Sequence, residues 1–227
     1  MNVKPILFNT EMVRAILDGR KTCTRRICKD ANECTVPDMD FYNADRRTYA
    51  VHNFADKKHT EQLSIAERTC PICPGDILYV RETWERFECW NCDGDERGNC
   101  PKEPKKSVLD KTCGCYMYRA TDEISGDAKW HQSIHMPKEA ARIWLEVTNV
   151  RVERLRDITG LSVQKEGIEV EPNECAGKFD FVSELFLLFQ RLWDSTIKKS
   201  DLDCYGWDAN PWVWVIEFER CERPEGV

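Results

Sequence analysis

The chain alternates between short segments with a two-residue apolar rhythm and three segments with a helical rhythm. Lys4-Pro5-Ile6-Leu7-Phe8 reads as an entry strand. A helix is predicted next, with Asn9 or Thr10 as N-cap, Met12, Val13, Ile16 and Leu17 as its apolar stripe, and Gly19 as its stop. Pro74-Gly75-Asp76 marks a turn before the β-forming run Ile77 to Trp84. Tyr116 to Ala120 and Ile143 to Val152 read as further strands, with Ile143, Leu145 and Val147 on one face. Residues 157–166 suit a short helix, and Phe181, Val182, Leu185, Phe186, Phe189, Leu192 and Trp193 recur at helical spacing. In the last strand Trp212, Trp214, Ile216 and Phe218 alternate with Val213, Val215, Glu217 and Glu219. Two stretches break the rhythm and read as insertions: 30–67, polar and aperiodic, and 88–115, dense in Cys, Gly, Asp and Lys.

Strands in both halves, helices between them and no βαβ repeat predict the α+β class. The expected architecture is one domain over 1–227: a small, mostly antiparallel β-barrel with flanking helices and a cysteine-rich insertion.

Composition narrows the function. The 227 residues carry 33 Lys+Arg against 40 Asp+Glu, a formal charge of −7. Any nucleic-acid contact must then be a local patch, because a wholly nucleic-acid-binding surface is basic. No run approaches the ~18 apolar residues of a membrane helix, and Met1 to Ile6 shows no signal peptide. The expectation is a cytoplasmic protein with no membrane partner and no evident obligate protein partner.

Thirteen cysteines in such a chain favour metal over disulfides. Cys89-x-x-Cys92, Cys100 and Cys113-x-Cys115 cluster in a segment with almost no apolar core, where a tetrahedral zinc would supply folding energy. The expected ligands are Cys89, Cys92, Cys113 and Cys115, with Cys100 as substitute, and the expected zinc is structural, with no catalytic cofactor. Cys70-Pro71-Ile72-Cys73 is a second Cys-x-x-Cys, for which Cys28 and Cys34 are weakly spaced partners. A deaminase-type zinc site is not expected, since Pro71 falls inside the Cys70/Cys73 pair rather than before it, as the Pro-Cys-x-x-Cys arrangement requires.

Arg20-Lys21-Thr22-Cys23-Thr24-Arg25-Arg26 places four cations and two hydroxyls just past the first helix. It reads either as a solvated charge run favoured by the helix dipole or as an anion site with Thr22 and Thr24 as donors or nucleophiles. Arg81 and Arg142 are candidates to extend the patch.

Ile16 to Arg26 resembles the N-terminal signature of ASCH domains, members of the PUA-like superfamily. Gly75 to Trp84 resembles that family's second block. Trp130, Ser133 to Pro137 and Leu145 to Ile158 resemble its third, and Asn210 to Phe218 its closing strand. The spread of the blocks is similar to the larger ASCH proteins of bacteriophages and prophages. The resemblance implies a β-barrel whose cleft binds RNA, a nucleotide or a modified nucleoside. One bacterial branch hydrolyses the amide of N4-acetylcytidine with a lysine, a threonine and a glutamate. Lys21 and Thr24 match its motif, Glu166 is the best match for its carboxylate, and Arg25 stands where that branch is apolar.

The chemistry is coherent in its own terms: a threonine hydroxyl needs a base, and a lysine among cations, oriented by a carboxylate, is one. Residues three apart on a strand point to opposite faces, so Lys21 and Thr24 converge only if the segment turns after Gly19. Glu82 is either a functional carboxylate or an arginine's structural partner. Trp130 and His135 are candidates to stack on or bond a base, against core packing and a satisfied loop histidine. The leading expectation is nucleoside, nucleotide or RNA binding in a cationic cleft. The amide hydrolase is the alternative, followed by a ribonuclease or a structural phage-associated module.

Overall fold

The computed structural model describes residues 2–31, 34–88, 114–123, 129–170 and 181–226, with backbone only at 87, 88, 114 and 115. Its first unit is β1 (Val3–Leu7) followed by α1 (Thr10–Leu17). The Asn9 side chain caps α1, accepting from the Met12 N–H at 2.8 Å. Gly19, at φ +77°, ends it, and the N–H groups of Arg20 and Lys21 turn back onto Ala15 O at 2.9 Å each. The chain then enters β2 (Cys23–Ile27).

β1 and β2 are the two edges of a five-stranded sheet. With β6 (Ile77–Arg81), β9 (Trp144–Arg154) and β10 (Trp212–Cys221), its order is β1-β6-β9-β10-β2. β1 runs parallel to β6, and the other pairs are antiparallel. The expected closed barrel is not formed. No ladder joins β1 to β2; the Arg26 guanidinium spans the gap instead, Nη2 donating to Leu7 O at 3.0 Å. A side chain stands where closure would need backbone pairing.

Both faces of the sheet are covered. Ile6, Leu78, Leu145, Trp214, Ile216 and Phe218 pack with Val13 and Ile16 of α1. Val213 and Val215 pack with Val163 of α2 (Gly160–Lys165) and with Leu185, Phe189 and Trp193 of α3 (Phe181–Thr196). β10 is therefore apolar on both sides up to a bulge at Glu217/Phe218, each buried large side chain contributing about 1.5–3 kcal/mol. A short α4 (Leu202–Tyr205) follows, and its Tyr205 carbonyl accepts from Trp193 Nε1 at 2.8 Å.

The first insertion is not aperiodic, which corrects the sequence expectation. It folds as an antiparallel sheet of β3 (Thr35–Asn43), β4 (Thr48–Phe54) and β5 (Gln62–Thr69). The physical reason lies in Thr48–Phe54, which sends Tyr49 and Val51 into the main core. Tyr49 meets Trp214 edge-on, with centroids 4.8 Å apart. The second insertion is entered through β7 (Trp84–Glu88) and left through β8 (Gly114–Tyr118), with Glu88 opposite Gly114. Cys89, Cys92, Cys100 and Cys113 lie outside the described residues, as does the Cys115 side chain.

Among the described residues no three His, Cys, Asp or Glu side chains are grouped to hold a metal. Cys70 and Cys73 are buried thiols bonded to the backbone at Ile72 O (2.8 Å) and Cys70 O (3.6 Å), and Cys28 sits against the Tyr49 hydroxyl. No described helix is long and apolar enough to cross a membrane.

Candidate functional site

The segment after Gly19 leaves α1 and pairs with the end of α2 before entering β2. Lys21 and Glu166 form an isolated antiparallel bridge, and the Thr22 N–H donates to Lys165 O at 2.9 Å. The approach depends on Gly167, at φ +88°. A Cβ there would fall 2.7 Å from Ala15 Cβ and 3.0 Å from Lys21 Cβ. Lys21 is thus set beside the α2 terminus, and its Nζ donates to Glu166 Oε2 at 2.7 Å and to Glu166 O at 2.9 Å. The two side chains are 0% and 4% exposed.

From this pair a line of alternating charges crosses the sheet. Glu166 Oε1 takes Arg25 Nη1 at 3.1 Å, and Arg25 Nη2 meets Glu153 Oε1 at 2.6 Å. Glu153 Oε2 takes Arg151 Nε at 3.1 Å, and Arg151 Nη1 meets Glu217 Oε1 at 2.6 Å. The register explains it: Arg25, Val215 and Arg151 lie side by side on β2, β10 and β9. Three cations and three carboxylates alternate from the interior to the surface, so no net charge is buried. Cys23, on the same strand face, has its thiol pushed up to about 12 by burial and by Glu166, which makes it inert as a nucleophile at neutral pH.

Thr24 and Arg26 point the other way. Thr24 Oγ1 accepts from Arg26 Nη1 at 2.9 Å and makes no hydrogen bond to Lys21. The Phe8 ring joins the two sides of the strand, with its centroid 5.5 Å from Lys21 Nζ and 5.4 Å from Arg26 Cζ. Lys21 and Glu166 are thus brought together, whereas Thr24 is held by a different partner.

Phe8 is also part of the wall of a cavity of about 510 Å³ lined by Leu7, Asn9, Thr10, Thr83, Gln132, Ser133 and Ile134. Its groups are apolar, amide or hydroxyl, with no charged side chain. Ile134 stands on the rim, 55% exposed. Trp130 and His135 flank this segment without lining the cavity.

The other predicted cations are engaged. Arg20 bonds Asp18, Glu169 and Gly167 O; Arg81 Nε donates to Met136 O at 2.7 Å. Glu82, 1% exposed, is held by Arg142 through two bonds of 2.9 Å, and Arg142 lies over Tyr118 at 4.0 Å. Glu82 is placed as an arginine's partner. Sequence reasoning missed Glu153, Arg151, Glu217, Asn9, Gln132 and Phe8. The alternation of Arg151, Glu153 and Glu217 on two strands was the available signal for the first three.

No family model matches this chain, and no curated protein matches it. Among solved structures, one titled "Crystal structure of hypothetical protein PH0355" aligns over 97% of this chain and 100% of that chain, at 15% identity and a TM-score of 0.32. A likeness at that level carries no argument.

Proposed function

We propose that this chain is a PUA-like protein of the ASCH type that takes a modified nucleoside, free or within RNA, into the cavity beside Phe8. The observation that carries the reading is the chemistry of that cavity. Leu7 and Ile134 offer apolar surface to a base over the buried Phe8, while Asn9, Gln132, Thr10, Thr83 and Ser133 offer uncharged donors and acceptors to its edge. The absence of charge from the lining suits a neutral heterocycle and leaves any phosphate in solvent. The test is calorimetric titration with cytidine and N4-acetylcytidine, comparing wild type with Gln132→Ala and Ile134→Glu. Saturable binding weakened by both substitutions supports the reading, and binding unaffected by either places the ligand elsewhere.

A second reading, amide hydrolysis of an N4-acylated cytidine, is favoured by the Lys21–Glu166 pair. Lys21 would first pass a proton to Glu166. Thr24 Oγ would then attack the acyl carbon, and the freed Lys21 Nζ would take its proton and pass one to the leaving amine as the C–N bond breaks. Water would then cleave the acyl-threonine. Glu166 would hold Lys21, and Lys21 would have to swing toward Thr24, whose oxygen is bonded to Arg26. Acetate release lost in both Thr24→Val and Lys21→Ala supports this. Full release in Thr24→Val removes the nucleophile.

A further inference from the structure

The gap between the sheet edges β1 and β2 is itself a cavity of about 510 Å³, with Ile6, Ile72, Trp193 and Ile197 among its walls and Arg25 and Arg26 as its cations. The two arginines differ. Arg25 is already neutralised by Glu166 and Glu153. Arg26 meets only neutral acceptors, namely Thr24 Oγ1, Arg25 O and Leu7 O, and no carboxylate lies within ion-pair distance of it among the described residues. It also lines an adjoining cavity of about 280 Å³, whose rim carries Lys29 and Asp30, and there Asp30 takes the Tyr49 hydroxyl.

We propose that this seam binds a small amphiphile, an apolar body carrying one anionic group, with the anion on the Arg26 guanidinium and the body against Ile72, Trp193 and Ile197. A ligand site is a concave, mainly apolar space with a few placed polar groups, and the seam has that composition. The guanidinium has donors beyond the three it uses, in a planar fork suited to a carboxylate or phosphate. Burial pulls its pKa below the ordinary arginine value, with Glu166 opposing from a distance. A bound anion would supply the counter-charge that every other cation of the 20–26 segment already has. The seam differs from the nucleoside cavity, which contains neither arginine.

The test is calorimetry with octanoate and its neutral counterpart octan-1-ol. Octanoate is expected to bind saturably at one site, and octan-1-ol roughly tenfold more weakly or worse, the scale of one charge-assisted contact. Arg26→Gln should weaken octanoate roughly tenfold and leave octan-1-ol unchanged. Thr196→Glu, an exposed substitution on the seam wall, should weaken octanoate in the same direction and carries the test if Arg26→Gln does not fold. The proposal is overturned by non-saturable octanoate binding, by equal affinity for octan-1-ol, or by unchanged octanoate affinity in Thr196→Glu. Displacement of octanoate by cytidine monophosphate also overturns it, since the seam would then be the phosphate end of the nucleoside site.

Discussion

Lys21 and Glu166, 145 positions apart, meet at 2.7 Å with side chains almost wholly buried. The contact ties the exit of α1 to the end of α2 and begins a neutral line of six alternating charges. Removing Glu166 leaves Lys21 charged, buried and without its counter-ion, and leaves Arg25 with one carboxylate instead of two.

Glu166→Gln should therefore cost about 3–5 kcal/mol, because Lys21 loses its counter-ion and Arg25 keeps only Glu153. Lys21→Met with Glu166→Gln should cost clearly less than the two losses added, as partners in one network are coupled. Urea unfolding of the two single variants and the double variant checks this, and strictly additive losses contradict it.

Gly167→Ala should destabilise the protein and disturb Lys21. The added methyl meets Ala15 Cβ at 2.7 Å on a left-handed backbone, where strain alone costs about 1–3 kcal/mol. A melting temperature within error of wild type would show that the α1–α2 approach relaxes freely.

Much of this was legible in the sequence. Periodicity found α1, α3 and β10, because each carries an uninterrupted apolar stripe. The resemblance placed Lys21 and Glu166 together, although they are far apart in sequence. Barrel closure was misjudged because an open seam depends on where Arg26 reaches, which no local pattern encodes. The β3–β5 sheet was missed since no alternation of burial runs through its three strands: β4 buries Ala50 along with Tyr49 and Val51, and every residue of β5 except Ala66 is exposed. The cations of 20–26 look free in sequence, yet the carboxylates that bind Arg25 come from Glu153 and Glu166.

Acid sensitivity should centre on Asp76. Burial alone would raise its pKa, but bonds from Arg47, the Cys73 N–H and Lys4 outweigh this and hold it below the ordinary carboxylate value. A lowered folded pKa gives stability that is complete above the unfolded value near ~3.9 and is lost as pH falls through the folded value. Asp76→Asn should lower the melting temperature at neutral pH and flatten its fall below pH ~4. Parallel melting curves for both proteins across that range would contradict this.

Zinc is expected in protein purified without chelator, held by cysteines between Cys89 and Cys115. The motive is their density in the sequence, with β7 and β8 bringing the two ends of the segment together. Elemental analysis finding about one zinc per chain, reduced in Cys92→Ser, is the predicted result. A metal-free protein contradicts it.

The central claim is that the cavity beside Phe8 holds a nucleoside. The most direct measurement is a titration of N4-acetylcytidine into the protein, followed through the backbone resonances of Leu7, Phe8, Asn9, Gln132, Ser133 and Ile134. The account predicts saturable shifts concentrated at these residues, abolished by Ile134→Glu. Saturable shifts centred elsewhere, or none at millimolar ligand, would contradict it.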